Sequence, residues 1–324
     1  MTPEPTRAPV TPLDRLSDRD LGEILLKRED RQPTGSHKDR AARFQVDCAL
    51  ARGMRAVVIS SSGNAGIAAA HYCRHANLPC FVFLARTTPP GKIIGILEEG
   101  GVAILSDKPV NYARFAARVF GLPNLRPSTD PDAITGFMSL GVELAGQLPE
   151  GFAGPLLMFS TSGASLTGLA RGIASQANHA RCNPRYYAVQ SGRAHTLASR
   201  FDARPFDPSD RLAGQGGLPE TALAEELAGL IAQSSGGALY VTDTEILAAH
   251  RFQNSWNLSV SHETDAAIAA LVRLRHTDDS PACIVATGVS RPETALSSEH
   301  SRLITVHDYS DVRSVIERFL ETSA

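Results

Sequence analysis

Residues 31–44, which read RQPTGSHKDRAARF, set a lysine directly behind a turn-forming segment. Proline fixes the backbone and glycine relaxes it, so Pro-Thr-Gly-Ser predicts a turn. The residues after Lys38 place apolar side chains at helical spacing, at Ala42, Val46 and Ala49. A lone lysine at a helix start is usually a solvated charge. Whether Lys38 is instead a buried, reactive amine depends on what the rest of the chain places around it.

Composition and charge exclude several classes of protein. Hydrophobic residues make up 43% of the 324 and charged residues 20%, an ordinary globular balance. The 32 Lys and Arg against 34 Asp and Glu give a net charge of -2, which provides no basis for binding nucleic acid or an anionic membrane. The five cysteines form no C-x-x-C pair, no apolar run approaches ~20 residues, and the proline-rich N-terminus lacks the apolar core of a secretory signal. We therefore expect a cytoplasmic protein without nucleic-acid or membrane partners.

Predicted strands and helices alternate in two series. The strands lie at 23–29, 55–60, 80–85 and 102–106, then at 155–160, 185–190, 238–242 and 282–287. The helices lie at 37–54, 64–78, 89–100, 110–119, 137–148, 165–177, 243–255, 264–274 and 311–320. Such alternation is the βαβ pattern of a parallel sheet covered on both faces.

Two segments between these elements predict loops. Residues 121–136, rich in Pro, Asp, Ser and Thr, predict a loop or a crossing between domains, and residues 211–219 predict a flexible loop. We expect Asp243 to be the N-cap of the helix at 243–255 and Asp311 to be the N-cap of the helix at 311–320.

Three turns that join a predicted strand to a predicted helix carry unusual sequence. They are PTGSHK at 33–38, SSSGNAG at 60–66 and STSGASLTG at 160–168. In a parallel sheet such turns lie at the carboxyl ends of the strands, where ligands bind. Glycine permits close approach of the backbone, and the N–H groups at a helix N-terminus favour an anion. Two such turns behind apolar strands, together with the lysine turn, indicate an anion-binding site.

Several familiar motifs are missing. The chain has no G-x-x-x-x-G-K-[ST], no G-x-G-x-x-G in a strand-to-helix turn and no G-x-S-x-G, which argues against a P-loop ATPase, a dinucleotide-binding oxidoreductase and a hydrolase elbow. His71, Cys73 and His75 have metal-binding side chains, but on a helix Cys73 points away from the other two. We expect no metal.

The opening TPLDRL and the stretch ILLKREDRQPTGSHKDRAA resemble the start of the fold-type II pyridoxal-phosphate enzymes. The family includes threonine synthase, serine/threonine dehydratase, cysteine synthase and tryptophan synthase β. The K-x-E-x-x-x-P-T-x-S-x-K pattern is most similar to threonine synthases and dehydratases, and the resemblance covers nearly the whole chain. It implies an α/β fold of two three-layer αβα domains with mostly parallel twisted sheets and pyridoxal 5'-phosphate in the cleft between them.

The resemblance also implies a division of the chain and an assembly. The larger, cofactor-anchoring domain is expected at 1–52 plus 151–324, and the smaller domain, which carries the substrate loop, at 53–150. A homodimer that acts on a small amino-acid substrate is what the family suggests.

The resemblance assigns roles to individual residues. Lys38 matches the lysine that forms the Schiff base with the cofactor, and Thr287 matches the Ser/Thr that meets the pyridine nitrogen. Asn64 matches the asparagine that bonds the ring hydroxyl. The substrate carboxylate is expected at Ser61, Ser62, Gly63, Asn64 and Ala65. The cofactor phosphate is expected in a cup formed by Thr161, Ser162, Gly163, Ala164 and Ser165.

The chemistry of these residue types agrees with those roles. Burial lowers the pKa of an amine, which makes it a better nucleophile, and the released Lys38 amine can remove the substrate α-proton as general base. The cofactor acts as electron sink. A hydroxyl rather than a carboxylate at the pyridine nitrogen leaves that nitrogen mostly unprotonated, which favours elimination over transamination.

The sequence does not select a single reaction. A threonine-synthase-like lyase that eliminates or replaces a β- or γ-substituent is the first choice, ahead of a cysteine-synthase-like enzyme and a serine/threonine dehydratase. The chain lacks the lysine of the G-Q-K-T segment found in many threonine synthases, and its phosphate cup is nearer to cysteine synthases. His262 and Glu263 stand where relatives carry E-P-A or E-P-S, and either contact substrate or cap a helix. A non-catalytic binder on the same fold is the alternative of another class.

Overall fold

The computed structural model describes residues 9–61, 63–176, 182–192, 194–214, 222–291 and 300–321. The described residues pack as two units, one that takes those of 38–136 and 291–321 and another that takes those of 9–37 and 137–290. These units place the helix after Lys38 and the C-terminal segment with the smaller sheet. The domain bounds expected from the resemblance, 1–52 plus 151–324 and 53–150, remain a prediction.

The described residues contain ten strands and eleven α-helices. The strands are β1 Leu13–Asp18, β2 Gly22–Lys27, β3 Val57–Ser60, β4 Cys80–Ala85, β5 Val102–Ser106, β6 Pro155–Phe159, β7 Arg185–Gln190, β8 Gly237–Tyr240, β9 Ala282–Val285 and β10 Leu303–Thr305. The helices are α1 Lys38–Ala51, α2 Asn64–His75, α3 Pro90–Glu98, α4 Pro109–Phe120, α5 Pro131–Gln147, α6 Ala164–Ala174, α7 Ala222–Gln233, α8 Asp243–Ala249, α9 Arg251–Ser255, α10 His262–Leu274 and α11 Tyr309–Glu321.

The larger unit is built on a six-stranded sheet in the order β1-β2-β9-β6-β7-β8. Its pairs are parallel except β1 with β2. Successive side chains of a strand face opposite sides, so Leu25 packs in one core with Leu169 of α6, and Leu26 packs in the other with Ile268 of α10. Helices cover both faces, which gives three layers and buries every residue of β6 and β9.

The smaller unit repeats this arrangement with a four-stranded, wholly parallel sheet in the order β10-β5-β4-β3. Val82 packs with Ile96 of α3 on one face, and Phe83 packs with Ala113 of α4 on the other. The predicted α/β class, with two three-layer units and mostly parallel sheets, is confirmed. No helix in the described ranges is long and apolar enough to cross a membrane.

Three local predictions are wrong. The last part of the predicted loop 121–136 is helical, because α5 begins at Pro131 with a proline in a position that tolerates it. Thr242 rather than Asp243 caps α8, since its hydroxyl accepts the Glu245 N–H while the Glu245 carboxylate accepts the Thr242 N–H. At α11 the N–H groups of Ser310 and Asp311 both donate to Asp308, so Asp308 takes the role expected of Asp311.

Helices α5 and α6 approach so closely at two glycines that no side chain fits. A Cβ atom on Gly172 would lie 2.1 Å from the Met138 carbonyl oxygen, and one on Gly141 would lie 2.0 Å from that of Leu169. We therefore expect Gly172→Ala to lower the free energy of unfolding by about 1–3 kcal/mol, because the helices must separate. Urea denaturation followed by circular dichroism measures this change.

Gly229→Ala is the matched control for that substitution. Gly229 also lies inside a helix, α7, but a Cβ atom there meets nothing within 4 Å. It should raise the free energy of unfolding by about 0.5–1 kcal/mol, because alanine loses less backbone entropy than glycine. Equal effects of the two substitutions would contradict a tight contact between α5 and α6.

Candidate active site

The turn before Lys38 is held by backbone hydrogen bonds to the segment that follows β9. Gly35 has a φ of +76°, and a Cβ atom on it would lie 2.9 Å from Cγ2 of Val289, so this position favours glycine on two grounds. The Gly35 carbonyl accepts the Val289 N–H at 2.9 Å, and Ser36 forms a β-bridge with Gly288. The turn therefore has a fixed place on the edge of the larger sheet.

His37 extends this attachment to the residue before Lys38. Its N–H donates to the Thr287 carbonyl at 3.1 Å, its Nδ1 lies 2.8 Å from the same oxygen, and its ring stacks on Phe137. The buried His37 is thus fixed by backbone, side chain and ring. Lys38 follows after one peptide bond as the first residue of α1, and its side chain is half-buried rather than freely exposed.

Thr287 and the predicted phosphate cup lie at one edge of the larger sheet. β9 lies between β2 and β6, and its pairing of Ile284 with Leu157 puts Thr287 alongside Ser160 when the register is continued. Thr287 is 4% exposed. Within the described part of the chain its hydroxyl makes no hydrogen bond, so it is available to a ligand atom.

The cup has the backbone that an anion requires. Gly163 has a φ of +84°, and α6 begins directly after it. Among the N–H groups in the first turn of α6, only that of Ala164 contacts a described side chain, the Ser162 hydroxyl at a long 3.4 Å. The hydroxyls of Thr161 and Ser165 form no hydrogen bond with any other described residue. A helix N-terminus with unused hydroxyls is a suitable place for a phosphate, so these residues fit the cofactor.

The predicted substrate loop lies at the carboxyl end of β3 in the smaller unit. Gly63 is extended, and α2 begins at Asn64, whose side-chain amide has no partner among the residues that are described. A Cβ atom on Gly66 would lie 2.8 Å from the Ser61 carbonyl oxygen, so the loop folds tightly onto the helix. Ala65 is half-buried, and Ser62 lies outside the described residues. The roles of Ser61 to Ala65 stay predictions.

Arg126 is a site candidate that the sequence did not reveal. The Val58 N–H donates to the Pro123 carbonyl, and the Leu125 N–H donates to the Val58 carbonyl, so this segment runs parallel to β3. Continuing that register places Arg126 alongside Ser60, where the substrate loop begins. Burial lowers the pKa of Arg126, and the charge of Arg114 lowers it further. No described carboxylate lies within ion-pair distance of its guanidinium group.

His262 and Glu263 occupy the first turn of α10, behind Ser261 at the N-cap position. Neither is therefore the N-cap residue. Nδ1 of His262 lies 3.1 Å from Oδ2 of Asp265, which is a contact within the same helix. A contact of these two residues with substrate remains a prediction.

Comparison with known proteins identifies the family. Residues 1–288 match the family described as "Pyridoxal-phosphate dependent enzyme". The chain belongs to this family, and the resemblance to the fold-type II enzymes and the expected cofactor, pyridoxal phosphate, are confirmed.

Individual relatives carry different activities. A threonine synthase of Mycobacterium leprae is 29% identical over 309 residues, which cover 89% of this chain and 83% of the relative. A cysteine synthase 1 of Emericella nidulans is 36% identical over 119 residues, which cover 34% of this chain and 32% of the relative. The family therefore supports an enzyme, but these relatives do not define one reaction.

Solved structures agree in fold. A pyridoxal 5'-phosphate-dependent aspartate racemase superposes with a TM-score of 0.73 at 21% identity, covering 88% of this chain and 91% of the other. A serine racemase from Dictyostelium discoideum superposes with a TM-score of 0.72 at 18% identity, covering 86% and 93%. At such identities the likeness concerns the fold alone.

Proposed function

We propose that this protein is a pyridoxal-phosphate-dependent lyase that eliminates or replaces a β- or γ-substituent of a small amino acid, in the manner of a threonine synthase. The observation that carries the choice is Arg126, a half-buried cation at the edge of the smaller sheet where the substrate loop begins. An anionic substituent on the substrate would supply the negative charge that this guanidinium lacks among the described residues. The match with threonine synthases over most of the chain supports the same choice.

Each group in the proposed site has one task. The N–H groups of Gly63, Asn64 and Ala65 at the start of α2 hold the substrate carboxylate, since a helix N-terminus favours an anion. The Lys38 amine removes the proton from the substrate α-carbon and later returns a proton. The cofactor, when bound, supplies the electron sink for that proton loss.

The remaining groups hold the cofactor. The start of α6 and the hydroxyls of Thr161, Ser162 and Ser165 would hold its phosphate, with Gly163 and Ala164 providing the close backbone. By the family resemblance, Asn64 would bond the ring hydroxyl, and Thr287 would offer its hydroxyl to the pyridine nitrogen. A neutral hydroxyl at that nitrogen provides no charge to stabilise a protonated ring, which favours loss of a substituent over transamination.

Arg126→Gln tests the anionic substituent. Removing one charged hydrogen bond is worth about 1.5–3 kcal/mol, so kcat/KM for O-phosphohomoserine or O-phosphoserine should fall by about 10–100-fold. The values for O-acetylserine, serine and threonine should change by less than about 3-fold, because these substrates offer no charge to Arg126. Released phosphate, acetate and ammonia, together with the cofactor spectrum, measure turnover on all five compounds.

Arg114→Gln is the matched control, because Arg114 is an exposed arginine that influences Arg126 only through its charge. A uniform loss over all substrates in Arg126→Gln would contradict a role in recognising the substituent. Turnover of O-acetylserine alone would instead favour the cysteine-synthase-like reaction, and ammonia release from serine or threonine would favour a dehydratase. Cofactor binding without turnover of any amino acid would favour the non-catalytic binder.

A further inference from the structure

Three side chains with metal-binding atoms converge at the start of α10, and none of them has a task in the proposed reaction. Nδ1 of His250 lies 3.0 Å from Oδ2 of Asp265, and Nδ1 of His262 lies 3.1 Å from the same oxygen. One ligand atom from each of the three residues lies within 4.8 Å of the other two. His250 stands between α8 and α9, so folding rather than sequence spacing brings it to the other two.

The carboxylate at the centre of this cluster is fixed from behind. The Asp265 side chain is 0% exposed, and its Oδ1 accepts a hydrogen bond from Nε2 of Gln253 at 2.7 Å. Gln253 is itself buried and is held by two hydrogen bonds to the backbone of Val260. Oδ2 is thereby aimed at the two imidazoles. An outer partner that orients a carboxylate in this way is characteristic of metal sites.

We propose that His250, His262 and Asp265 bind a divalent transition-metal ion, with zinc as the best match. Two imidazoles and one carboxylate suit zinc, whereas Mg²⁺ and Ca²⁺ prefer oxygen ligands alone. Zinc–ligand distances of about 2.0–2.2 Å put neighbouring ligand atoms about 3.3–3.6 Å apart in a tetrahedral shell. A small rotation of the two half-exposed imidazoles satisfies this geometry and leaves a fourth position for water.

The protons balance without an additional group. In the metal-free cluster each Nδ1 lies at hydrogen-bond distance from Oδ2 of Asp265, a contact that needs a hydrogen on Nδ1 because the carboxylate only accepts. On binding, each imidazole exchanges that hydrogen through solvent for one on Nε2, and the freed Nδ1 lone pairs and Oδ2 become the ligands.

The ion would tie the junction of α8 and α9 to the start of α10. The connecting loop contains Ser261, whose N–H donates to the Gly288 carbonyl at 2.8 Å, and Val260, which forms a β-bridge with Val289. The loop that leads to the proposed site is therefore bonded to the two residues that directly follow Thr287. The site is thus structural, and it stiffens the segment that carries the residue proposed to meet the cofactor ring.

Zinc binding to the untagged holoenzyme tests the proposal directly. After dialysis against zinc and removal of the excess, atomic emission should find about one zinc per chain. His250→Ala and His262→Ala should each weaken zinc binding at least about 100-fold in titration calorimetry. Asp265→Asn keeps the shape and the Gln253 contact, and should weaken binding similarly. Cobalt, added in place of zinc, should show visible absorption that these variants lose.

His276→Ala is the matched control, because His276 is exposed just beyond the end of α10. It should bind zinc as the parent does. His71→Ala serves as a second control, since the rings of His71 and His75 lie 4.5 Å apart on α2. Stoichiometric zinc that survives in His250→Ala and His262→Ala, zinc lost only in His71→Ala, or no stoichiometric zinc in the parent would each overturn the proposal.

Discussion

Lys38→Ala is expected to lower kcat/KM on the best substrate by at least about 10³-fold, because both the covalent attachment of the cofactor and the general base are removed. Borohydride reduction followed by peptide mass spectrometry should find the cofactor on Lys38 in the parent and on no lysine in the variant. The variant should still bind the cofactor non-covalently, because its proposed phosphate cup at the start of α6 is intact. Small primary amines added to the variant should restore part of the turnover, since they can replace the missing base.

Lys108→Ala is the control, because Lys108 is an exposed lysine at the start of another helix, α4. It should retain both turnover and covalent labelling of Lys38. Cofactor found on a different lysine after reduction, or unchanged turnover of Lys38→Ala, would contradict the assignment. If turnover is lost and no amine restores it, Lys38 would still be the residue that attaches the cofactor, but its assignment as general base would be contradicted.

Lys27→Met is expected to lower the free energy of unfolding by about 3–5 kcal/mol, the largest stability change that the described structure predicts. The Lys27 side chain is 0% exposed, and its Nζ donates to the Thr11 carbonyl and to Gln147 Oε1 and pairs with Glu143. Methionine has a similar volume but no charge. The Glu143 carboxylate, 12% exposed, would lose the charge of Lys27, and the cost of that loss appears in urea denaturation of the holoenzyme.

Glu143→Gln in the Lys27→Met background separates charge from packing. The double variant should recover at least about 2 kcal/mol, because the buried carboxylate that lost the Lys27 charge is gone. Arg15→Met removes one partner of an exposed pair, Arg15 with Glu23, and should change the free energy of unfolding by less than about 1 kcal/mol. A change of that small size in Lys27→Met, or no recovery in the double variant, would show that the buried pair does not stabilise the fold.

The fold class followed from sequence because parallel sheets buried on both faces leave apolar runs between turns. Two strands that were not predicted, β1 and β10, lack that signal or depend on a distant partner. β1 is an edge strand whose only apolar residues, Leu13 and Leu16, lie three positions apart, and β10 has three residues that pair with β5 about two hundred positions earlier. Helix α7 did carry a signal, since Leu227 and Ile231 lie one turn apart in the core; the glycine-rich stretch before it suggested only a loop.

The candidate site likewise contains residues that the local sequence suggests and residues that only the fold brings to it. Lys38 and Gly163 could be predicted because each follows a turn whose residue types have local chemical reasons. Arg126 could not, because its position depends on the pairing of residues 123–125 with β3, and nothing in the loop sequence encodes that pairing. The cluster around Asp265 depends on two helices folding back on one another, which also has no local signature.

The position of β9 governs the order in which the larger unit can be completed during synthesis. β9 is the last strand of its sheet to leave the ribosome, yet it lies in the interior between β2 and β6. Until residues 282–285 emerge, β2 and β6 have no common partner and their facing edges are unpaired. A nascent chain must therefore hold two half-sheets open for most of its translation, which makes folding slow and gives chaperones a long interval in which to bind.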